Sequence, residues 1–282
     1  MSFNQDLQAT LAGRGSRLCV GLDPDLAALP AEFEPEPDEV LRFVTGIVEA
    51  TVEFAAAYKP NSAFYEVMGP AGIEVLQAVI ASIPSEIPVI LDGKRGDIGN
   101  TAERYATTCF DVLGAGAATV SPYLGGDSLE PFTRRADKGV FVLCRTSNPG
   151  SGELQELRAG DRPLFLEVAA RCRDWNVNGN VGLVAGATYP ADLAAIRAEC
   201  PGMPILIPGV GAQQGDLAGA VAAAAGEGRD QPFLVAASRS IMSASSGPDY
   251  QHAAAEAARQ LRDQIQQFFE TKKEDGVIAA RD

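Results

Sequence analysis

Histidine is nearly missing from the chain: among 282 residues there is one, His252, in an alanine-rich stretch near the C-terminus. Histidine-built metal centres and Ser–His or Cys–His nucleophiles need an imidazole beside the chemistry, so neither is the first reading. His252 itself reads as a solvated helix residue. Cysteine is sparse and odd in number. Cys19, Cys109, Cys144, Cys172 and Cys200 are widely spaced without a C-x-x-C pair, which points to neither a disulfide framework nor a zinc site. They read as small buried residues in a reducing compartment. Positive charge is also scarce, with Lys+Arg 23 against Asp+Glu 37 and a net charge of −14. Nucleic acid and anionic membranes need clustered cations, so neither is an expected partner. A small anion is compatible, because a few local cations suffice. No apolar run approaches the ~18 residues of a membrane span, and the start Met-Ser-Phe-Asn-Gln-Asp lacks the basic-then-apolar order of a secretory leader. The expected location is the cytoplasm.

With 46% hydrophobic residues there is ample material for one core, and the length suits the roughly 250 residues of a (β/α)8 barrel. Short apolar, β-branched runs fall at 17–22, 56–59, 88–91, 117–120, 140–144, 181–185, 204–207 and 233–236. Near-continuous apolar character is what strands buried on both faces of a parallel sheet require. Segments of helical periodicity alternate with them, at 40–54, 73–83, 102–113, 164–175, 191–198 and 217–224. Strict β-α alternation predicts a parallel α/β fold. Eight strands, a leading helix at 3–13 and a trailing one at 249–270 predict a single-domain (β/α)8 TIM barrel over 1–270 with an extra N-terminal helix, followed by a frayed tail from 271 to 282. A doubly wound sheet is the alternative. It is disfavoured because Gly21-Leu22-Asp23-Pro24, not G-x-G-x-x-G, follows the first strand, and the glycines at 209, 211 and 215 are spaced one residue too far apart. The segment 146–161 reads as a long loop.

In a barrel the chemistry collects at the C-terminal ends of the strands. Strand 1 ends in Asp23, strand 2 in Lys59-Pro60-Asn61, strand 3 in Asp92-Gly93-Lys94-Arg95-Gly96-Asp97, and strand 5 in Arg145-Thr146-Ser147-Asn148, so charges are expected at one mouth. Asp92 and Lys94 are two apart and share a face if the strand persists through Gly93. Opposite charges this close hold each other ionised. Asn100 and Glu103 resemble a capping box for the next helix. The plain alternative for D-x-K-x-x-D is an ion-pair cluster tying a strand end to a helix start. Pro208-Gly209-Val210-Gly211-Ala212-Gln213 after strand 7 and Ser238-Arg239-Ser240 after strand 8 suit phosphate, which backbone amides and a guanidinium bind together in these two loops of many barrels.

Taken in order, Val20-Gly21-Leu22-Asp23-Pro24, Lys59-Pro60-Asn61, Leu91-Asp92-Gly93-Lys94-Arg95-Gly96-Asp97, Thr146-Ser147-Asn148-Pro149-Gly150 and the two phosphate-type loops resemble the orotidine 5′-phosphate decarboxylase family, in its longer bacterial branch. The resemblance implies a lyase without metal or cofactor that converts orotidine 5′-phosphate to UMP and CO2, as a homodimer with sites at the subunit interface. Carried over position by position, Lys59, Asp92, Lys94 and Asp97 would form an alternating charge array, with Asp97 serving the neighbour's site. Asp23, Lys59 and the neighbour's Thr101 would meet the ribose, Ser147 the pyrimidine, and Pro208, Gln213 and Arg239 the phosphate end. Lys94 would stabilise the C6 carbanion and protonate it. Ser238 departs from the glycine frequent in the family, although its amide can still donate. The D-x-K-x-x-D motif also resembles that of an alternative, a Mg²⁺-dependent sugar-phosphate lyase of the same superfamily with a carboxylate at the end of strand 2; here that position is Lys59, which opposes a cation. A non-catalytic nucleotide-binding barrel is the other.

Overall fold

The computed structural model describes residues 2–210, 216–227 and 231–279. In chain order the strands are β1 Leu18–Leu22, β2 Ala57–Pro60, β3 Ile90–Arg95, β4 Ala117–Val120, β5 Gly139–Arg145, β6 Arg158–Ala159, β7 Arg162–Pro163, β8 Val181–Ala185, β9 Ile205–Ile207 and β10 Phe233–Ala237. All but β6 and β7 form one parallel sheet, ordered β2-β1-β10-β9-β8-β5-β4-β3. Parallel bridges of Tyr58 with Val89 and Asn61 with Asp92 bring its two ends together. The result is the expected eight-stranded TIM barrel, and the closing seam falls beside Lys59 and Asp92.

Side chains alternate across the barrel wall, as the period of two demands. Leu18, Val20 and Leu22 of β1, or Phe233 and Val235 of β10, face the surrounding helices, while Cys19, Ala57, Ile90, Ala117, Phe141, Val184, Leu206 and Leu234 fill the interior. The N-terminal helix Phe3–Arg14 plugs the interior from below with Phe3, Leu7 and Leu11, all buried, each contributing roughly 1.5–3 kcal/mol. Its entry is tied by the Ser2 amide donating to Gln5 Oε1 at 3.0 Å. Phe3 lies against Gly139, where any Cβ would come within 2.4 Å of the ring; only glycine admits the plug.

Three expectations are corrected. The segment 146–161 is not a plain loop: it carries a 3-10 turn Pro149–Ser151, a helical turn Gly152–Gln155 and the antiparallel β6–β7 hairpin. Its short elements have no periodicity long enough to read. The final helix runs Tyr250–Ala279, beyond the expected end at 270, since Lys272-Lys273-Glu274 are good helix formers. The helix after β3 begins at Gly99 with Ile98 as its cap, so Asn100 and Glu103 do not make a capping box; Glu103 pairs with Arg134 instead. His252 is exposed on the last helix, as expected. Among the described residues no helix is long and apolar enough to cross a membrane, and the five cysteines are free and buried.

Candidate active site

One pleat above the apolar interior layer, two residues further along β2, β3 and β4, the inward positions turn polar: Ala57 is followed by Lys59, Ile90 by Asp92 and Ala117 by Thr119, while on β1 Cys19 is followed by Gly21. Asp92 is the hub. Its Oδ2 accepts from Lys59 Nζ at 2.7 Å, and its Oδ1 accepts from Lys94 Nζ at 2.7 Å and from Thr119 Oγ1 at 2.9 Å. Lys59 and Asp92 are each only 7% exposed, whereas the Lys94 side chain is 47% exposed. Burial works against the Asp92 charge, but Lys59 and Lys94 overcome it and hold the carboxyl down at about 2. Burial likewise opposes the Lys59 ammonium, and Asp23 and Asp92 more than compensate, holding it above the usual lysine range. Lys59 and Asp92 are therefore both charged at neutral pH.

Lys94 reaches this position by a route that the residue spacing did not foretell. Leu91 pairs with Ala118 and Arg95 with Val120, so four residues of β3 span two of β4. The surplus is a bulge at Gly93 and Lys94, and Lys94 takes φ 45°, alone among the described non-glycine residues in the left-handed region. Such a conformation costs on the order of 1–3 kcal/mol and persists only where neighbours fix it. Here the Lys94 amide donates to Thr119 Oγ1 at 3.0 Å and the Arg95 carbonyl accepts from the Ser121 amide at 2.8 Å. Asp92 and Lys94 do meet, but across a bulge and not along a regular strand face.

Lys59 and Asp92 form the floor of a cleft of about 560 Å³, and Lys94 is bonded to that floor from outside its lining. Asp23, Lys59, Asn61 and Asp92 line one side, and Pro208, Gly209, Ser238 and Arg239 the other. Asp23 Oδ1 accepts from the Asn61 amide at 3.1 Å, which fixes it beside the seam. Ser238 Oγ is buried without a hydrogen-bond partner among the described residues, and Ser238 fits only because residue 21 is glycine: a Cβ there would lie 2.6 Å from Ser238 Cβ. Sequence patterns therefore brought Asp23, Lys59, Asp92, Pro208 and Arg239 to one cavity, with Lys94 bonded to its floor. Asp97 and Thr101 are not in it. Asp97 accepts from the Ile98 amide at 2.8 Å on a surface stretch where Ile98 is 61% exposed and Thr101 is exposed. Ser147 sits at the end of β5 against Gly186, outside the cleft lining. Gln213 lies outside the described residues.

Arg145 corrects the reading of the strand-5 end as part of a charged mouth. It is 1% exposed and donates to Asp192 Oδ2 at 2.8 Å, Ser151 Oγ at 2.8 Å and Glu156, with its guanidinium 4.0 Å from the Tyr189 ring centroid. It ties β5 to the 149–163 insertion. Gln155 extends the tie, accepting from the Thr146 amide at 2.9 Å and donating to Thr146 Oγ1 at 2.8 Å, which fixes the backbone leading to Ser147. Sequence reasoning missed Thr119 altogether. The available signal was its place two residues after the small interior residue Ala117.

Known proteins resemble this chain in sequence and fold. The sequence profile of the Orotidine 5'-phosphate decarboxylase / HUMPS family matches residues 16–258. The orotidine 5′-phosphate decarboxylase of Roseiflexus castenholzii is 53% identical over 267 residues, 94% of this chain and 97% of the relative. That of Thermomicrobium roseum is 50% identical over 271 residues, 95% and 96% of the two chains. Among solved structures, the OMP decarboxylase of Leishmania donovani superposes with a TM-score of 0.83 at 45% identity, covering 95% of this chain and 99% of that one. A putative orotidine-monophosphate-decarboxylase from Toxoplasma gondii gives a TM-score of 0.88 at 37% identity, with 96% and 98% covered. On its fold, its charge array and these relatives, the chain belongs to the orotidine 5′-phosphate decarboxylase / HUMPS family.

Proposed function

We propose that this cleft decarboxylates orotidine 5′-phosphate to UMP and CO2, the last step in making UMP, with Lys94 as the proton donor. The activity is that of the relatives just described, and the observation that carries its assignment to this site is the Lys59–Asp92–Lys94 array at the floor of a cleft walled by Pro208 and Arg239. Breaking the bond from C6 to the carboxylate leaves the electron pair on C6 in an orbital that the ring carbonyls cannot readily delocalise. The site must stabilise that pair by fixed charge. The Lys94 ammonium lies beside it, donates a proton to C6 as CO2 leaves, and is reprotonated from solvent. Asp92 keeps Lys59 protonated and anchors the Lys94 side chain through its Oδ1. Arg239, the Ser238 amide and the 208–210 backbone receive the phosphate, whose binding energy is remote from the reacting carbon. Asp23 and Lys59 face the ribose, and Ser147, outside the cleft lining on the loop after β5, would have to turn inward to meet the pyrimidine.

The reaction needs no metal on this reading. Both Asp92 oxygens already accept from ammonium groups, so a divalent cation would have to displace two lysines from their carboxylate. Asp97 and Thr101, on an exposed stretch outside the cleft, complete the site of a second copy in a homodimer. Five buried thiols suit a reducing cytoplasm. Loss of orotidine 5′-phosphate absorbance with purified protein in EDTA tests the reading. Turnover in EDTA is expected. Activity that disappears in EDTA and returns with Mg²⁺ would transfer the site to the sugar-phosphate lyases.

A further inference from the structure

Thr119 is 2% exposed, and its hydroxyl makes two bonds, both to β3: it accepts from the Lys94 amide at 3.0 Å and reaches Asp92 Oδ1 at 2.9 Å. A hydroxyl has a single hydrogen. The Lys94 amide can only donate, and Asp92 is held ionised between two ammonium groups, so the Thr119 hydrogen must point to Asp92. Lys94 Nζ bonds the same Oδ1 at 2.7 Å. These contacts make a closed ring: Lys94 amide to Thr119 hydroxyl, hydroxyl to Asp92 carboxylate, carboxylate to Lys94 ammonium. The ring spans the bulge where Lys94 takes φ 45° and two extra residues of β3 are absorbed against β4.

We infer that Thr119 is a positioning residue for decarboxylation. Its hydroxyl holds the left-handed backbone of Lys94 and the Asp92 carboxylate at once, so the ammonium is delivered to the cleft in one direction without Thr119 touching substrate. Without that hydroxyl the Lys94 amide loses its acceptor, the bulge loses what offsets its strain, and Lys94 samples other directions. The role belongs to the hydroxyl and not to the shape of the side chain. Serine would preserve it, while valine, equally β-branched, would not. The inference rests on the reading that the Lys94 ammonium acts at the reacting carbon.

Three variants decide the matter, measured for kcat, KM, UMP affinity and thermal midpoint. Thr119→Val is expected to lower kcat roughly 10- to 100-fold, the range of one lost hydrogen bond to a charged group, while UMP affinity stays within about threefold. Thr119→Ser is expected to keep kcat within about threefold of the parent chain. If Thr119→Val does not accumulate as folded protein, Thr119→Ala takes its place and the serine-against-alanine difference carries the test. A folded hydroxyl-free variant with parental kcat overturns the inference, as does a serine variant no better than valine. Lys94→Ala separates the two levels. Lost turnover there with normal turnover in Thr119→Val sinks the positioning role alone, whereas normal turnover in Lys94→Ala sinks the parent reading and this inference together.

Discussion

Replacing Asp92 by asparagine removes the charge on which the floor of the cleft is organised. The Lys59 side chain is 9% exposed and its Nζ stands 2.7 Å from Asp92 Oδ2. At an effective dielectric of about 20 that separation corresponds to an attraction of about 6 kcal/mol. Part of it offsets the desolvation of the two groups, and breaking such a buried pair from one side costs roughly 3–5 kcal/mol, because the remaining charge stays buried. At about 2–4 °C per kcal/mol for a domain somewhat smaller than this one, Asp92→Asn should lower the thermal midpoint by roughly 6–20 °C at pH 7. The double variant Lys59→Met, Asp92→Asn should recover most of the loss, since no buried charge is then stranded. The pH dependence has a definite sign. The Asp92 carboxyl is depressed from 3.8 to about 2 in the folded state, so its stabilisation is present above about pH 4 and disappears as pH falls towards 2. The parent chain should lose that increment over this window and Asp92→Asn should not. Thermal unfolding followed by circular dichroism at pH 7 and between pH 4 and 2 measures both effects. A single variant within about 2 °C of the parent at pH 7, or a double variant no more stable than the single, would refute the buried-pair account.

Three further outcomes follow from the geometry. Arg239→Ala removes the guanidinium from the phosphate wall and should raise KM by roughly 10- to 100-fold; steady-state kinetics with an unchanged KM would take Arg239 out of the site. Gly21→Ala places a methyl group 2.6 Å from Ser238 Cβ, and the displaced strand end should raise KM about 10-fold and cost about 1–3 kcal/mol of stability. Parental kinetics and thermal midpoint would show that the cleft tolerates the shift. If the proposed homodimer shares its sites, Asp97→Ala and Lys94→Ala chains that are each inactive should regain up to about a quarter of parental activity when mixed, because random pairing yields hybrids with one intact site. No recovery from chains shown to exchange would place Asp97 outside the neighbour's site.

The fold was readable because each strand is a short apolar run and each helix a longer periodic one, and these signals are local. Lys59, Asp92 and Lys94 were readable too, since charged residues directly after apolar strands stand out. The β3 bulge was not. It arises from pairing with β4, and nothing in Asp92-Gly93-Lys94 states that four residues will span two partners. Thr119 escaped notice for a related reason: in Ala117-Ala118-Thr119-Val120 a threonine looks like an ordinary β-former, and its value lies in facing Asp92 across the ladder. Arg145 misled in the opposite direction. A charge at a strand end looked like part of the mouth, but Asp192, Glu156 and Ser151, up to 47 residues away in the chain, draw it into the wall.

On the proposed mechanism the Lys94 ammonium supplies the charge and the proton at the reacting carbon. Single-turnover and steady-state decarboxylation by Lys94→Ala, with UMP affinity measured on the same protein, test it most directly. Loss of at least about 10³-fold in kcat, with UMP binding within a few-fold of the parent, is the predicted result. A folded Lys94→Ala chain that decarboxylates at near-parental kcat would contradict the account.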